Sequence, residues 1–308
     1  MRLLILGAGA VGGYFGDRMA AAGSDVTFLV RAKRAEQLAS RGLVVNSRYG
    51  DLALRPNMAV AVNEVFDVVL IACKSYDLES ALPAIRPAIG PGTLVIPLLN
   101  GLRHLEILDA AYGREKVAGG SVHIGVTLGS GGEIQHLNGL HYLTFGPRWE
   151  SQAEACRALQ AEMKKSEFQA LLSPKISQDL WEKFVYLTTY AGITCLMRSS
   201  IGAISKTRVG TAMARELLAE CVAVSTASEF PPRDDFLKNC ITKLTERNST
   251  GTSSMLRDMQ KGLRTEYEHI LGDMLNRARA SGIAAPILRM AYTSVQAYEL
   301  VRAHTGEC

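Results

Sequence analysis

RLLILGAGAVG, residues 2–12, joins a short apolar run directly to three spaced glycines. The apolar run is typical of a strand that is buried on both faces of a parallel sheet. In the G-x-G-x-x-G pattern that follows, Gly7 permits a tight turn, Gly9 lets a pyrophosphate approach the backbone, and Gly12 lets the next helix pack close to the strand. The stretch therefore predicts a strand, a glycine-rich turn and a helix.

The residues after this turn supply the context in which it binds a dinucleotide. A helix that begins near Val11 directs its unpaired N–H groups at a phosphate, and VTFLV at 26–30 predicts a second strand. The whole run is a βαβ unit of about 30 residues. The cofactor-binding residues predicted here are Gly7, Gly9, Ala10, Val11 and Gly12.

Arg31 stands at the end of the second predicted strand, with Lys33 and Arg34 after it. Proteins of this type that select NAD place Asp or Glu there, because a carboxylate binds the ribose 2′-hydroxyl. A guanidinium pairs instead with a 2′-phosphate, so the sequence predicts NADPH as the cofactor. The alternative is a solvated, basic start to the next helix.

Two further apolar strands are predicted, at 65–72 and 93–99, and each ends in polar residues. Because ligands of an open α/β sheet bind beyond the carboxyl ends of its strands, Lys74 and Asn100 are expected at the same edge as the glycines. Lys74 would neutralise a phosphate or a carboxylate, and Asn100 would bind an amide or a carbonyl. The alternatives are a solvated lysine and a simple Asn-Gly turn.

The predicted secondary structure changes between residues 173 and 174. Before that point, short β-like pieces predict antiparallel strands added to the edge of the sheet, and after it the pattern predicts only helices. The predicted fold class is an α/β Rossmann-type N-terminal domain (1–173) followed by an all-α C-terminal domain (174–308). The predicted helices of the second domain lie at 176–197, 209–229, 234–246, 253–260, 265–281 and 286–303.

Composition excludes several classes of protein. The formal net charge of +4 over 308 residues is too weak to indicate a nucleic-acid partner. The six cysteines are scattered, without the spacing of a metal site or of a disulfide framework, and this favours a reducing cytoplasm. No stretch approaches the roughly 20 uninterrupted apolar residues of a membrane span. The large apolar share of the helical domain is compatible with a homodimer.

A glycine breaks the helical pattern inside the segment SSMLRDMQKGLRTEYE, residues 253–268. Glycine suits the end of one helix, and Thr265 and Glu268 have the spacing of a capping box that starts another. Helix N-termini are therefore predicted near Ser254 and Glu266. Two helices folded against each other can turn both residues towards one pocket, whereas one straight helix would separate them by about 18 Å. The alternative for Glu266 is a favourable charge in the first turn of a helix.

GAGAVGGYFG, CKSYD, LLNG, WEK and SSMLRDMQKGLRTE together resemble the ketopantoate reductase (2-dehydropantoate 2-reductase) family. The motifs of both predicted domains occur in the family's order, from Met1 to about Ala303. The resemblance implies NADPH-dependent reduction of 2-dehydropantoate (ketopantoate) to pantoate, a step of pantothenate and coenzyme A biosynthesis.

The resemblance also implies roles for single residues. Lys183 of WEK matches the family's catalytic lysine, and the resemblance implies that Glu266 is a second catalytic residue near it. A hydride delivered to a ketone builds alkoxide charge, which an ammonium group can stabilise and protonate. Burial should lower the pKa of Lys183, while Glu266 should raise it. The implied substrate contacts are Asn100, Ser254, Lys183 and Glu266, and the implied cofactor contacts beyond the glycine-rich turn are Arg31, Lys74 and Asn100.

Two positions depart from the family's usual pattern. Four and eight residues after the lysine the family has asparagines, and this chain has Leu187 and Ala191. An apolar wall there puts the choice of substrate in doubt, although Thr188, Tyr190 or Thr194 can replace the lost donors if the pocket is rebuilt. A paralogous NADPH-dependent reductase of another 2-keto acid, and a regulator that senses NADPH without turnover, therefore stay as alternatives.

Overall fold

The computed structural model of the chain describes residues 1–305. It divides into two compact units: the first holds 1–99 and 104–177, and the second holds 100–103 and the chain from 178 onward. The change of unit at 177/178 lies beside the change of pattern at 173/174. The grouping of Asn100–Arg103 with the second unit has no counterpart in the sequence pattern.

The first unit contains a five-stranded parallel sheet in the order β5-β2-β1-β6-β7. Its strands are β1 (Arg2–Leu6), β2 (Asp25–Leu29), β5 (Asn57–Ala59), β6 (Val68–Ile71) and β7 (Leu94–Pro97). β6 and β7 are buried along their whole length, as expected of parallel strands covered on both faces. Because β1 is central, the glycine-rich turn that follows it lies between the ends of β2 and β6.

The prediction that the β-like pieces between residues 117 and 146 add strands to the edge of this sheet is wrong, because the strands formed there belong to a second sheet. β8 (Gly119–Leu128) and β9 (Ile134–Gly146) form an antiparallel hairpin. β9 pairs in parallel with β10 (Gln169–Leu172) and with β3 (Leu43–Asn46), and β3 pairs with β4 (Leu52–Leu54). The backbone groups of β9 thus find partners on both sides without the first sheet.

Five helices accompany the two sheets. They are α1 (Ala10–Ala21), α2 (Ala32–Arg41), α3 (Leu78–Ile85), α4 (Arg103–Tyr112) and α5 (Ala153–Met163). α1 joins the sheets into one core, because Phe15 and Met19 pack in the same buried cluster as Phe28 of β2 and Phe145 of β9. The Rossmann-type fold class predicted for this region is confirmed.

The C-terminal region is helical, as predicted. Its helices are α6 (Ile176–Met197), α7 (Ile201–Lys206), α8 (Gly210–Ala227), α9 (Asp234–Leu244), α10 (Ser254–Gln260), α11 (Asp273–Ala280) and α12 (Pro286–Thr305). Only α7 has no counterpart in the sequence pattern. It is a short helix whose N-cap, Ser200, accepts a hydrogen bond from the backbone of Ala203. Within residues 1–305, no helix is long and apolar enough to cross a membrane.

The predicted capping box at Thr265 is wrong. The Thr265 hydroxyl donates to Glu299 of α12 at 2.7 Å, and Glu268 accepts from the Tyr292 hydroxyl at 2.8 Å. Both side chains thus bond to α12 instead of to each other's backbone. The helix begins with a π-helical segment, Glu268–Gly272, rather than with a regular turn. The predicted break before it is confirmed, since α10 ends at Gln260.

The cysteines of the described chain are free thiols: Cys73, Cys156, Cys195, Cys221 and Cys240. Four of them are buried, and Cys73 is partly exposed. Cys308 lies outside the described residues.

Candidate active site

The glycine-rich turn has the backbone that a pyrophosphate site requires. Gly7 adopts a φ of +96°, and Gly9 precedes α1 in an extended conformation without a side-chain cap. A Cβ on Gly12 would collide with the Gly7 carbonyl oxygen, whereas a Cβ on Gly9 would meet no atom within 4 Å. The turn is thus closed towards the sheet and open at Gly9, which fits the approach of a pyrophosphate to the N–H groups that begin α1.

Arg31 begins α2 at the end of β2, with 74% of its side chain exposed. Its Nη2 donates to Oδ1 of Asp77 at 3.0 Å, and this hydrogen bond raises the pKa of Arg31. The sequence pattern gives no indication of this partner, because Asp77 lies 46 residues later in the chain. An exposed guanidinium with further donors fits a 2′-phosphate, although here it already carries one carboxylate.

Arg34 lies on the inner side of α2, whereas Lys33 is exposed. Its Nε donates to the carbonyl of Ala8 at 3.0 Å, and its Nη1 donates to the carbonyl of Gly132 at 3.1 Å. Burial lowers the pKa of Arg34. Arg34 therefore ties the glycine-rich turn to the turn of the β8–β9 hairpin, a positioning role that the sequence pattern alone does not indicate.

Lys74 is exposed and follows β6, the strand next to β1. It is the residue before a short 3-10 turn, Ser75–Asp77, which leads into α3. The register places the last residue of β6, Ile71, opposite Leu6 at the end of β1. Lys74 therefore lies at the same edge of the sheet as the glycine-rich turn, where the sequence places it.

Lys183 lies in the second turn of α6 and is partly buried. Burial lowers its pKa to about 8, in the direction expected for a proton donor at neutral pH. Its neighbour Glu182 is buried and accepts hydrogen bonds from the backbone N and the Nε of Arg233, at 2.9 and 2.8 Å. The charged group beside Lys183 is therefore neutralised by a partner, which the sequence does not reveal.

The face of α6 beyond Lys183 is apolar where the family has asparagines. Ala191 is buried and Leu187 is partly buried, as helix spacing predicts for one face. Of the side chains that were candidates for replacing the lost donors, Thr194 is hydrogen-bonded to the Ser253 hydroxyl at 2.8 Å. The Thr188 hydroxyl is fully buried and has no hydrogen-bond partner within residues 1–305.

Asn100 belongs to the second unit, because the next residue, Gly101, packs against the backbone of that unit. Gly101 has a φ of +87°, and a Cβ there would collide with the carbonyl oxygen of His269. The loop after β7 therefore packs directly against the segment that follows Glu266. Asn100 and Glu266 are both partly buried.

Ser254 is the first residue of α10 and is exposed. The buried Ser253 before it caps the helix, since its hydroxyl accepts from the Leu256 backbone at 3.1 Å. The bond between Ser253 and Thr194 fixes this helix start against α6. All four predicted substrate contacts thus belong to the second unit.

Comparison with known proteins shows the family of the chain. Residues 3–149 match the family described as "Ketopantoate reductase PanE/ApbA", and residues 175–299 match the family described as "Ketopantoate reductase PanE/ApbA C terminal". With the Rossmann-type sheet and the glycine-rich turn, these matches define an oxidoreductase of a class that binds a nicotinamide cofactor. The chain belongs to the ketopantoate reductase family, so the resemblance found in the sequence is confirmed.

Curated relatives match along nearly the whole chain. The chain is 37% identical over 301 residues to "Uncharacterized oxidoreductase YkpB" of Bacillus subtilis, which covers 97% of this chain and 99% of that protein. It is 27% identical over 297 residues to a 2-dehydropantoate 2-reductase of Mesorhizobium japonicum, which covers 88% of this chain and 89% of the relative.

Solved structures share the fold over the same length. A PanE/ApbA family ketopantoate reductase from Ralstonia eutropha superposes with a TM-score of 0.88 at 26% identity, over 99% of this chain and 100% of that chain. D-mandelate dehydrogenase in complex with NADH and anilino(oxo)acetate has a TM-score of 0.89 at 21% identity, over 98% and 100%. The second likeness concerns the fold alone.

Proposed function

We propose that the protein catalyses NADPH-dependent reduction of a 2-keto acid, with ketopantoate as substrate and pantoate as product. The observation that carries the proposal is Lys183, an amine whose burial lowers its pKa to about 8, at the position of the family's catalytic lysine. An ammonium with this pKa donates a proton readily near neutral pH. A protein that only sensed the cofactor would have no use for such a group.

The residues of the second unit have complementary chemical roles in this proposal. The bound nicotinamide supplies the hydride that reduces the ketone. Lys183 stabilises the oxyanion that develops on the former carbonyl oxygen and gives it a proton. Asn100 and Ser254 donate hydrogen bonds to the keto acid, and Glu266 orients its polar groups.

NADPH is proposed as the cofactor because of the charges around Arg31. An exposed guanidinium at the end of β2 and the exposed Lys33 suit a 2′-phosphate. Lys74 adds a positive charge at the same edge of the sheet. We place the protein in the cytoplasm, where the cysteines stay reduced, and the free thiols are consistent with that proposal.

A second candidate has an observation of its own in its favour. Leu187 and Ala191 offer no hydrogen bond to a substrate, and ketopantoate carries a hydroxyl in addition to its ketone and carboxylate. A buried hydroxyl without a partner loses about 1–3 kcal/mol of binding. A paralogous reductase of a more apolar 2-keto acid is therefore the alternative function.

The experiment is a panel of 2-keto acids in which oxidation of NADPH is followed by absorbance. Ketopantoate, 3,3-dimethyl-2-oxobutanoate and phenylglyoxylate differ in their hydroxyl and in their apolar bulk. We expect turnover with ketopantoate that is lost in Lys183→Ala, whereas Lys206→Ala, at the exposed end of α7, serves as the matched control. NADPH binding without turnover of any member of the panel would contradict the proposal and favour the sensing regulator.

A further inference from the structure

The ion pair between Arg31 and Asp77 crosses the mouth of the glycine-rich turn. Arg31 follows β2 and Asp77 follows β6, and β1 lies between these two strands. The three strands end level, because Leu6 pairs with Leu29 on one side and with Ile71 on the other. Adjacent strands are about 4.8 Å apart, so the pair spans about 10 Å in front of the end of β1. The ribose of a dinucleotide whose pyrophosphate bound at this turn would therefore lie near this pair.

The Asp77 carboxylate is directed to Arg31 and not to its own helix. Asp77 is the N-cap residue of α3, yet its side chain makes no capping hydrogen bond. Its backbone is held locally, since its N–H donates to the Lys74 carbonyl at 2.9 Å and its carbonyl accepts from the Ser80 hydroxyl at 2.9 Å. The backbone that carries the carboxylate is therefore held in place, while the Arg31 side chain that pairs with it is 74% exposed.

Such a carboxylate acts oppositely on the two forms of the cofactor. A ribose with a free 2′-hydroxyl donates a hydrogen bond to an acid at this place, which is the arrangement that NAD-binding sites use at the end of the second strand. A 2′-phosphate bound by the same guanidinium would lie roughly 6 Å from the carboxylate and would be repelled by it. The acid that is missing at the end of β2 is thus supplied from the end of β6.

We infer that Asp77 is a specificity-determining residue which lets the ribose subsite bind NADH as well as NADPH and weakens the preference for NADPH that Arg31 creates. This inference rests on the proposed NADPH dependence. Other positive groups preserve phosphate binding when the carboxylate is removed: Lys33 and Lys74 are exposed at the same edge. Arg34 does not take part, because it holds the carbonyls of Ala8 and Gly132.

The test measures dissociation constants of NADPH and NADH for the full-length protein by nicotinamide fluorescence, without any turnover. In Asp77→Asn the ratio of the NADH dissociation constant to the NADPH dissociation constant should rise about fivefold to tenfold. NADPH binds more tightly because its 2′-phosphate is no longer repelled at about 6 Å in water, and NADH binds more weakly because its 2′-hydroxyl loses a hydrogen bond. Asp77→Ser should do the same, because serine is a good N-cap that carries no charge. Glu79→Gln, an exposed acid of the same helix, is the control and should leave the ratio within about twofold.

The outcomes separate this inference from the proposed function. An unchanged or lower ratio in both Asp77 variants overturns the inference, and so does a loss of NADPH binding, which would show that Asp77 only holds Arg31 in place. Arg31→Ala tests the proposed cofactor by itself and should weaken NADPH far more than NADH. An equal loss for both cofactors in Arg31→Ala would refute the NADPH dependence whatever the Asp77 variants do.

Discussion

Asp17 gives a prediction that does not depend on function. This aspartate of α1 is fully buried, and neither of its carboxylate oxygens has a hydrogen-bond partner within residues 1–305. Burial raises its pKa from 3.8 to about 7, against the opposing charge of Arg18. The folded protein thus keeps a proton that the unfolded chain releases near pH 4. The stability contribution is complete below about pH 4 and is lost as the pH rises towards 7. The two pKa values correspond to a loss of about 2.5 kcal/mol between pH 5 and pH 8.

The perturbation is Asp17→Asn, which keeps the shape of the side chain and removes its ionisation. We expect the free energy of unfolding by urea to depend less on pH in the variant, by about 2.5 kcal/mol between pH 5 and pH 8. Asp25→Asn is the control, because Asp25 belongs to the same unit and 58% of its side chain is exposed. If the pH profiles of the wild type and of Asp17→Asn run parallel, Asp17 does not hold a proton in the folded state.

Two predictions concern the second unit. Lys183→Ala should lower kcat at least about 10²-fold with nearly unchanged NADPH binding, and near-normal turnover in the variant would mean that another group supplies the proton. The kcat of the wild type should fall as the pH rises through about 8, because the ammonium is the proton donor. Joint replacement Leu187→Asn and Ala191→Asn should raise kcat/KM for ketopantoate relative to 3,3-dimethyl-2-oxobutanoate by an amount equivalent to about 1–3 kcal/mol. A wild type that already prefers ketopantoate a hundredfold, about 2.7 kcal/mol, would refute the argument from the apolar wall.

The first sheet is predictable from the sequence because its strands are continuous apolar runs. β6 and β7 are buried on both faces, so their composition alone distinguishes them from the surrounding chain. The second sheet is harder to predict. β3 and β4 have four and three residues, and both are only partly buried. Strands this short have no clear periodicity, and their partner β9 lies about 90 residues later in the chain.

In the candidate site, too, local features are predictable from the sequence and contacts between distant residues are not. The glycine-rich turn and the lysine of α6 are local features, and their positions follow from spacing. The ion pairs formed by nearby residues join distant parts of the chain: Asp77 lies 46 residues from Arg31, and Arg233 lies 51 residues from Glu182. The predicted capping box failed for this reason, since Thr265 has a better partner 34 residues away on α12.

Glu182, the residue before Lys183, is buried and forms an ion pair with Arg233. Burial raises the pKa of Glu182, but its hydrogen bonds with Arg233 outweigh burial and hold the pKa below its ordinary value. A buried carboxylate next to Lys183 would stabilise the ammonium and raise its pKa if it stood alone. Arg233 pairs with that carboxylate, and burial is the cause that lowers the pKa of Lys183 to about 8.

Two substitutions should therefore move the alkaline limb of the kcat profile in opposite directions. Arg233→Met removes a positive charge and leaves the carboxylate of Glu182 unpaired on the helix that carries Lys183, so the limb should shift to higher pH. Glu182→Gln leaves the positive charge of Arg233 and should shift the limb to lower pH. Glu216→Gln is the control, because Glu216 is an exposed acid of a different helix, α8, and should leave the limb unchanged. Shifts in the same direction for both substitutions would show that Lys183 responds to a general loosening of α6 and not to the charge beside it.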